Sequence, residues 1–177
     1  MSVAYQGVPG AFGHEACLAF LAGHEPVAKD SFAAVIEAVE AGETELGILP
    51  VENNRAGPVT EAEALIAASP LAVLSEHLLP VRMHLLGLPG ARIEEIRTVA
   101  SHPVALKQCA RALAELGVET EDAPNTAVAA QMLSDPMRAV LASEAAAAAY
   151  GLSILRRDVH DRPDNATRFA VLAREDR

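Results

Sequence analysis

Residues 31–49 read SFAAVIEAVEAGETELGIL and predict a helix followed by a buried strand. Ser31 is a typical N-cap, the Ala-rich stretch after it has helical period, and Gly42 is a typical C-cap. A short apolar run of strand length then closes the segment. Residues 125–141, NTAVAAQMLSDPMRAVL, repeat the pattern with Asn125 as the cap. The sequence therefore predicts an α/β protein with a weak internal duplication.

The rest of the chain predicts how these two units are connected. Residues 71–88 are mostly apolar and read as two extended segments, the expected crossing between lobes, and Thr167–Leu172 reads as a last strand. Two lobes with a cleft where strand ends and helix starts converge are expected. The predicted division is residues 1–79 plus 160–177 for lobe 1 and residues 80–159 for lobe 2.

Composition and charge restrict the class of partner. The chain has 177 residues, 51% of them hydrophobic, and a formal net charge of −10. Without a basic cluster, nucleic acid is not an expected partner. Because no apolar stretch reaches the length of a membrane span and the start lacks a signal-peptide pattern, a cytoplasmic protein is expected. Cys17 and Cys109 fall in apolar helical patterns and are predicted to be buried, reduced thiols.

Several motifs that would bind a cofactor are incomplete. His14-Glu15 opens a zinc-protease pattern, but Leu18 stands where the second histidine is needed. The spacing of Gly7, Gly10 and Gly13 is not that of a dinucleotide-binding turn. Neither a metal site nor an organic cofactor is predicted.

Polar side chains follow predicted strands or precede predicted helices at several places. Backbone amides at helix starts favour anions, so these side chains are candidates for an anion-binding cleft. On residue type alone, most such side chains are simply helix caps. The candidates are Glu52, Asn53, Asn54, Ser101, His102, Asn125 and Thr126.

Five blocks resemble those of the prephenate dehydratases, in the same order along the chain. Residues 51–59, VENNRAGPV, are similar to the P-[IV]-E-N-S-x-x-G-x-V segment of that family, and residues 101–109, SHPVALKQC, to its S-H-P-Q-A-L-x-Q-C. Residues 165–169, NATRF, contain the T-R-F motif that closes the catalytic region. Residues 4–12, AYQGVPGAF, and 125–130, NTAVAA, are similar to further blocks.

The resemblance implies a cofactor-free conversion of the dicarboxylate prephenate to phenylpyruvate, in phenylalanine biosynthesis. It also implies a two-lobed fold like a type II periplasmic binding protein, with the active site in the inter-lobe cleft, and a homodimer. Thr167 would be the catalytic residue, donating a hydrogen bond to the departing ring hydroxyl. Phe169 would pack beneath the site. The predicted substrate-binding residues are Arg168, Phe169, Asn53, Asn54, Glu52, Ser101, His102, Thr126 and Asn165.

Four positions depart from the family pattern and leave the substrate open. Ala11 and Gly13 stand where hydroxyl residues are common, Asn54 replaces a usual Ser, and Val104 replaces a usual Gln. The alternatives are arogenate dehydration, non-aromatising prephenate decarboxylation, and binding of an aromatic acid without catalysis. The chain ends eight residues after Phe169, so no C-terminal ACT domain and no phenylalanine inhibition through one are expected.

Overall fold

The computed structural model describes residues 1–175, and its backbone divides into two compact units. Each unit has its own β-sheet and its own core. Unit 1 consists of Met1–Val8, Phe12–Val81 and the chain from Asn165 onward; unit 2 consists of Pro9–Ala11 and Arg82–Asp164. Residues 176 and 177, which end the predicted lobe 1, lie outside the described residues.

Strands and short helices alternate along most of the chain. The helices are α1 (Phe12–Phe20), α2 (Phe32–Glu40), α3 (Thr60–Ala68), α4 (Pro103–Gln108), α5 (Ala110–Leu116), α6 (Thr126–Gln131) and α7 (Glu144–Tyr150). The strands are β1 (Ser2–Gln6), β2 (Glu25–Lys29), β3 (Leu46–Asn53), β4 (Gly57–Pro58), β5 (Leu71–Pro80), β6 (His84–Gly87), β7 (Thr98–Ser101), β8 (Glu119–Asp122), β9 (Arg138–Ala142), β10 (Ser153–Arg156) and β11 (Ala166–Arg174).

The helix and strand predicted from residues 31–49 are both present, as α2 and β3. Ser31 caps α2 by accepting a hydrogen bond from the Ala34 amide. The repeat of this pattern forms α6 and β9, and Asn125 caps α6 in the same way. The two predicted extended segments are β5 and β6. The α/β prediction is therefore confirmed.

The sheet of unit 1 has the strand order β2-β1-β3-β11-β5, and β4 pairs with the end of β3. Strand β1 is parallel to β2 and β3, whereas β11 is antiparallel to β3 and β5. The carboxyl ends of β1 and β3 therefore lie at the same edge of the sheet as the start of β11. Ligands of α/β sheets commonly bind beyond the carboxyl ends of the strands, so this edge locates the site.

The two faces of this sheet are covered by different helices. Phe169 and Val171 belong to the cluster that includes Cys17 of α1. Ala170 and Leu172 belong to the cluster that includes residues of α2 and α3. Successive side chains of a strand point to opposite faces, which is why neighbours on β11 enter different clusters.

Unit 2 has a five-stranded sheet of order β10-β6-β9-β7-β8. Strand β7 is parallel to β8 and β9, and β6 is antiparallel to β9 and β10. Buried residues of α6 and α7 pack on Leu86 and Val140 of this sheet. This unit thus has an apolar core of its own.

Residues 9–11 belong to unit 2, although the sequence-based division placed them in lobe 1. Ser143 Oγ donates a hydrogen bond to the Gly10 carbonyl at 2.7 Å, and the Tyr150 hydroxyl donates to the Pro9 carbonyl at 2.6 Å. Gly10 has a φ of +87°, and a Cβ there would lie 2.6 Å from the Ala146 Cα. Close packing against α7 therefore fixes this turn and requires glycine.

Both cysteines are buried free thiols, 2% and 0% exposed. Burial raises the pKa of Cys17 and that of Cys109 to about 12. Among the described residues, no helix is long and apolar enough to cross a membrane.

Candidate active site

Asn53, Asn165 and Thr167 form a hydrogen-bonded group where β3 ends and β11 begins. Asn53 and Thr167 lie opposite each other in the register of the two strands. Asn53 Nδ2 donates to Thr167 Oγ1 and to Asn165 Oδ1, each at 2.9 Å. Asn165 is buried, whereas Thr167 is only partly buried. The structure therefore brings together three of the predicted site residues.

The direction of the bond between Asn53 and Thr167 follows from the other end of the amide. Asn53 Oδ1 accepts from the backbone amides of Arg55 at 2.8 Å and Ala56 at 2.9 Å. Backbone amides only donate, so the atom facing them must be the oxygen, and the nitrogen must face Thr167. Thr167 Oγ1 is consequently an acceptor in this bond. Its own proton remains available to a further acceptor.

Asn54 joins the backbones of β3 and β11 just beyond this group. The Asn54 Oδ1 atom accepts a hydrogen bond from the Ala166 backbone amide at 2.9 Å, and the Asn54 backbone amide donates to the Ala166 carbonyl at 3.0 Å. The Asn165 carbonyl accepts from the Val81 amide at 2.8 Å. The start of β11 is thereby held on both sides. Asn54, predicted to contact substrate, has a structural contact here.

Arg168 lies on the sheet face opposite to Thr167. Its guanidinium forms ion pairs with Glu52 of β3 and, at 3.3 Å, with Glu76 of β5. All three side chains are about 45% exposed. The sequence predicted that Arg168 and Thr167 would hold one ligand, but adjacent strand residues face opposite ways. The contact between Arg168 and a substrate carboxylate stays a prediction, and it would have to compete with two carboxylates already present.

Phe169 is a core residue of unit 1, only 2% exposed. It packs with Tyr5, Ile48 and Leu79 on the same face as Thr167. Its predicted place beneath a bound substrate, and its predicted contact with that substrate, stay predictions.

The predicted site residues of unit 2 are engaged in its secondary structure. Ser101 is fully buried and donates to the Leu141 carbonyl at 2.8 Å. His102 caps α4, its Nδ1 accepting from the Val104 amide at 3.2 Å. Thr126 is the first residue of α6 and is buried. Ser101 and His102 thus already have hydrogen-bond partners within unit 2. The contact of all three residues with substrate stays a prediction.

A cavity at the same edge of the unit 1 sheet was not predicted. It has a volume of about 290 Å³ and is lined by Gln6, Asp30, Ser31, Phe32 and Glu61. Gln6 is the last residue of β1, and Ser31 caps α2. Their positions at the ends of predicted elements are the sequence feature that could have indicated this cavity. Two of these five lining residues, Asp30 and Glu61, carry carboxyl groups.

The family model described as prephenate dehydratase matches residues 3–177. The chain belongs to the prephenate dehydratase family. The arogenate dehydratase/prephenate dehydratase 1 of Arabidopsis thaliana is 39% identical over 176 residues, which cover 98% of this chain and 45% of the relative. A bifunctional N-acyl-homoserine lactone acylase/prephenate dehydratase of Komagataeibacter europaeus is 38% identical, with 97% of this chain and 62% of the relative covered.

A solved prephenate dehydratase has the same fold. The enzyme of Arthrobacter aurescens in complex with L-Phe matches with a TM-score of 0.89 and 27% identity, over 100% of this chain and 61% of that one. The chain spans less than half the length of the Arabidopsis relative. The two-unit α/β architecture predicted from the sequence is therefore that of the prephenate dehydratases.

One departure from the family pattern has a packing explanation. A Cβ at Gly13 would lie 3.2 Å from the Gln6 carbonyl oxygen and 3.4 Å from the Tyr5 ring. Helix α1 thus approaches β1 closely at this point, and a hydroxyl residue would have to displace its neighbours. In this member of the prephenate dehydratase family, glycine at position 13 allows that close approach.

A metal-dependent reaction has no candidate ligand set in the part of the chain that is described. Residues 1–175 contain no group of three or more His, Cys, Asp or Glu side chains arranged to hold a metal ion.

Proposed function

We propose that this chain catalyses the decarboxylating dehydration of prephenate to phenylpyruvate, with Thr167 as the catalytic residue. The observation that carries the proposal is the hydrogen bond in which Thr167 Oγ1 accepts from Asn53 Nδ2. A hydroxyl that accepts this bond keeps its proton for the leaving group of the substrate. Membership of the prephenate dehydratase family supports the same reaction class.

The reaction makes limited demands on the protein because forming the aromatic ring drives it. The bond from the ring to its carboxylate breaks and releases CO₂, and the electron pair enters the ring. The bond to the ring hydroxyl breaks, and its electron pair leaves with the oxygen, which becomes water on taking up a proton. Thr167 donates its hydrogen bond as that oxygen gains charge, so the interaction is strongest in the transition state.

Asn53 and Asn165 are proposed as positioning residues for Thr167. Asn53 is held by two backbone amides and also donates to Asn165, so neither its position nor its orientation is free. A hydroxyl held in place loses less entropy when the substrate arrives, which favours the reacting geometry. Their proposed role is to fix the donor.

Arg168 and Glu52 are proposed to tie β3, β11 and β5 together instead of binding substrate. The guanidinium already has a carboxylate on each neighbouring strand. Removing the guanidinium from both carboxylates to bind a substrate carboxylate would exchange one set of exposed ion pairs for another, with little net gain.

Arogenate is the second candidate substrate, because the Arabidopsis relative is named for both activities. It carries an amino group where prephenate has a keto group, and the same bonds break in its dehydration. Thr167 would therefore act identically on either. Non-aromatising decarboxylation and binding without catalysis are the remaining alternatives. We also place the activity in phenylalanine biosynthesis, in a cytoplasmic homodimer.

Product identification tests these proposals. The purified protein is incubated separately with prephenate, arogenate and an N-acyl-homoserine lactone, the last because of the name of the Komagataeibacter relative. Formation of phenylpyruvate from prephenate, lost in Thr167→Ala, is expected. Formation of phenylalanine from arogenate, with no product from prephenate, would identify arogenate as the substrate. A decarboxylated non-aromatic acid, lactone deacylation alone, or unchanged substrate would each contradict the proposed reaction.

A further inference from the structure

His84, the first residue of β6, lies buried beside Asp158, which follows β10. The His84 side chain is only 3% exposed. The Asp158 backbone amide donates a hydrogen bond to His84 Nδ1 at 3.0 Å. Because a backbone amide only donates, Nδ1 carries no proton, and the proton of the neutral imidazole is on Nε2. The direction of this bond therefore fixes both the tautomer and the charge of His84.

The backbone of Asp158 is in an unfavourable conformation. Within residues 1–175 it is the one residue other than glycine with a positive φ, at +50°. A side chain makes this left-handed region unfavourable, although aspartate tolerates it better than most residues. The Asp158 amide bonds to His84, and the next amide, that of Val159, donates to the Met83 carbonyl at 2.9 Å. The bond to neutral His84 is thus one of the contacts that hold Asp158 in this strained conformation.

The carboxylate of Asp158 lies beside the same ring nitrogen as its amide. The Asp158 Oδ1 atom is 4.0 Å from His84 Nδ1, too far for a hydrogen bond but close enough for a short movement to form one. His84 Nδ1 therefore has two alternative partners on one residue. The amide requires Nδ1 to accept, whereas the carboxylate requires it to donate. A proton on Nδ1 excludes the first contact and favours the second.

The charged groups around His84 come from several elements. Burial lowers the pKa of His84, the Asp158 and Glu144 carboxylates act in the opposite direction, and Arg157 and His160 act with burial. Glu144, on α7, already pairs with Arg157 at 3.0 Å. Asp158 has its Oδ1 atom 4.0 Å from the ring nitrogen. Asp158 is therefore the carboxylate that a protonated His84 would reach with the least movement.

His160 is a second imidazole beside the same carboxylate. Its Nδ1 donates to the Arg162 carbonyl at 3.0 Å, so the neutral ring has no proton on Nε2. That Nε2 atom is buried, has no hydrogen-bond partner among the described residues, and lies 3.6 Å from Asp158 Oδ1. Arg82 lies 3.7 Å from the other oxygen of this carboxylate. A protonated His160 would therefore compete with His84 for the Oδ1 atom of Asp158.

We propose that His84 and Asp158 form a pH-sensitive switch within unit 2. While His84 is neutral, its Nδ1 accepts from the Asp158 amide and holds that residue in the left-handed conformation. When His84 takes up a proton, Nδ1 donates to the Asp158 carboxylate, the amide is released, and Asp158 leaves the left-handed conformation. The chain runs from this segment to Asn165 and β11, so the switch acts on the segment that precedes Thr167. The proposal does not depend on the reaction catalysed.

Nuclear magnetic resonance of the unaltered protein tests the switch directly, between about pH 8 and pH 5, where histidine changes its charge. At the upper end, the ring nitrogen shifts of His84 should show a proton on Nε2 and none on Nδ1. As His84 takes up its second proton, the Asp158 amide should lose about tenfold or more of its protection from hydrogen exchange. The Leu113 amide, which donates to the Cys109 carbonyl within unit 2, is the internal control and should keep its protection.

Asp158→Asn separates the switch from the simple burial of His84. Asparagine also tolerates a positive φ and keeps the backbone amide, but it carries no charge to attract an imidazolium. His84 should therefore take up its proton at a lower pH in this variant than in the parent. Asp122→Asn, at an exposed position of β8, is the matched control and should leave the titration of His84 unchanged.

The unaltered protein decides the matter if Asp158→Asn folds poorly, which circular dichroism would reveal. Three results would each overturn the proposal. They are a neutral His84 with its proton on Nδ1, an Asp158 amide equally protected before and after His84 is protonated, and a folded Asp158→Asn protein in which His84 titrates as in the parent. Equal loss of protection at Asp158 and Leu113 would also overturn it, because acid would then loosen unit 2 as a whole.

Discussion

Asn53 Nδ2 and Thr167 Oγ1 lie 2.9 Å apart across two antiparallel strands, and the amide is the donor. The direction of this bond is fixed at the far side of Asn53, where two backbone amides donate to its oxygen. One asparagine therefore sets the role of the hydroxyl, because an oxygen that accepts from Asn53 keeps its proton for another group.

Replacing Thr167 by alanine removes the proposed donor. The turnover number should fall by roughly a hundredfold or more, because the lost interaction acts mainly in the transition state. KM should change little. Thr167→Ser keeps the hydroxyl and should retain substantial activity. Steady-state kinetics on prephenate measure both parameters, and parent-like turnover in a folded Thr167→Ala would refute the assignment.

Asn53→Asp keeps the oxygen that the Arg55 and Ala56 amides require but replaces the donor that faces Thr167. The turnover number should fall by roughly tenfold or more, since the hydroxyl loses its fixed orientation and faces a second acceptor. In a Thr167→Ala background the same change should have little further effect, because coupled residues are not additive. Equal effects in both backgrounds would indicate a purely structural role for Asn53.

Arg168→Lys separates the strand-tie role from a substrate-binding role. Because the ion pairs are about 45% exposed, their loss should lower the free energy of unfolding by only about 1 kcal/mol or less. KM should remain within about threefold of the parent value. Denaturant unfolding and kinetics are the measurements. A KM raised by a factor of about ten or more at unchanged turnover would instead support a bound substrate carboxylate.

Stability should decrease as the pH falls below about 6.5, the ordinary pKa of histidine. Burial lowers the pKa of His84, and the smaller opposing effects include the Asp158 carboxylate. At pH values between the lowered pKa of folded His84 and the ordinary pKa of histidine, the unfolded chain binds more protons than the folded one. The free energy of unfolding is therefore retained above this pH range and decreases as the pH falls through it. Burial also lowers the pKa of His14.

His84→Asn tests this assignment. Asparagine can still offer an acceptor to the Asp158 amide, which now donates to His84 Nδ1 at 3.0 Å. The melting temperature of the variant should depend less steeply on pH over the acidic range, with His14 supplying the remaining slope. A variant whose profile parallels that of the parent would show that His84 does not contribute.

The two thiols should resist modification in the native protein. Each is buried, with its pKa raised to about 12, so very little thiolate is present near neutral pH. A chromogenic thiol reagent should titrate two thiols in denaturant and react with native protein only as fast as the structure opens. Rapid reaction of the native protein would contradict the burial of Cys17 or Cys109.

The sequence by itself determined the elements whose signals are local. A capped, Ala-rich segment followed by a short apolar run predicts a helix and a buried strand wherever it occurs, and both copies fold that way. The sequence blocks that contain Asn53 and Thr167 also identified the family, because a motif can be matched without knowledge of the contacts that its residues make. In contrast, β2, β8 and β10 were not predicted. Edge strands bury little and can carry charges or proline, so their apolar alternation is weak.

Only the tertiary structure decided which side chains act together. Asn53 and Thr167 are separated by 114 positions, and their contact depends on how β3 and β11 pair. The register shift between Arg168 and Phe169 leaves Val51 as an extra residue on β3 and sets Glu52 beside Arg168. Pairing between distant segments is set by the packing of both sheet faces at once, and one residue of slip exchanges the faces. For that reason the motif did not reveal that Thr167 and Arg168, adjacent in sequence, lie on opposite faces of the sheet, and their predicted contact with one substrate stays a prediction.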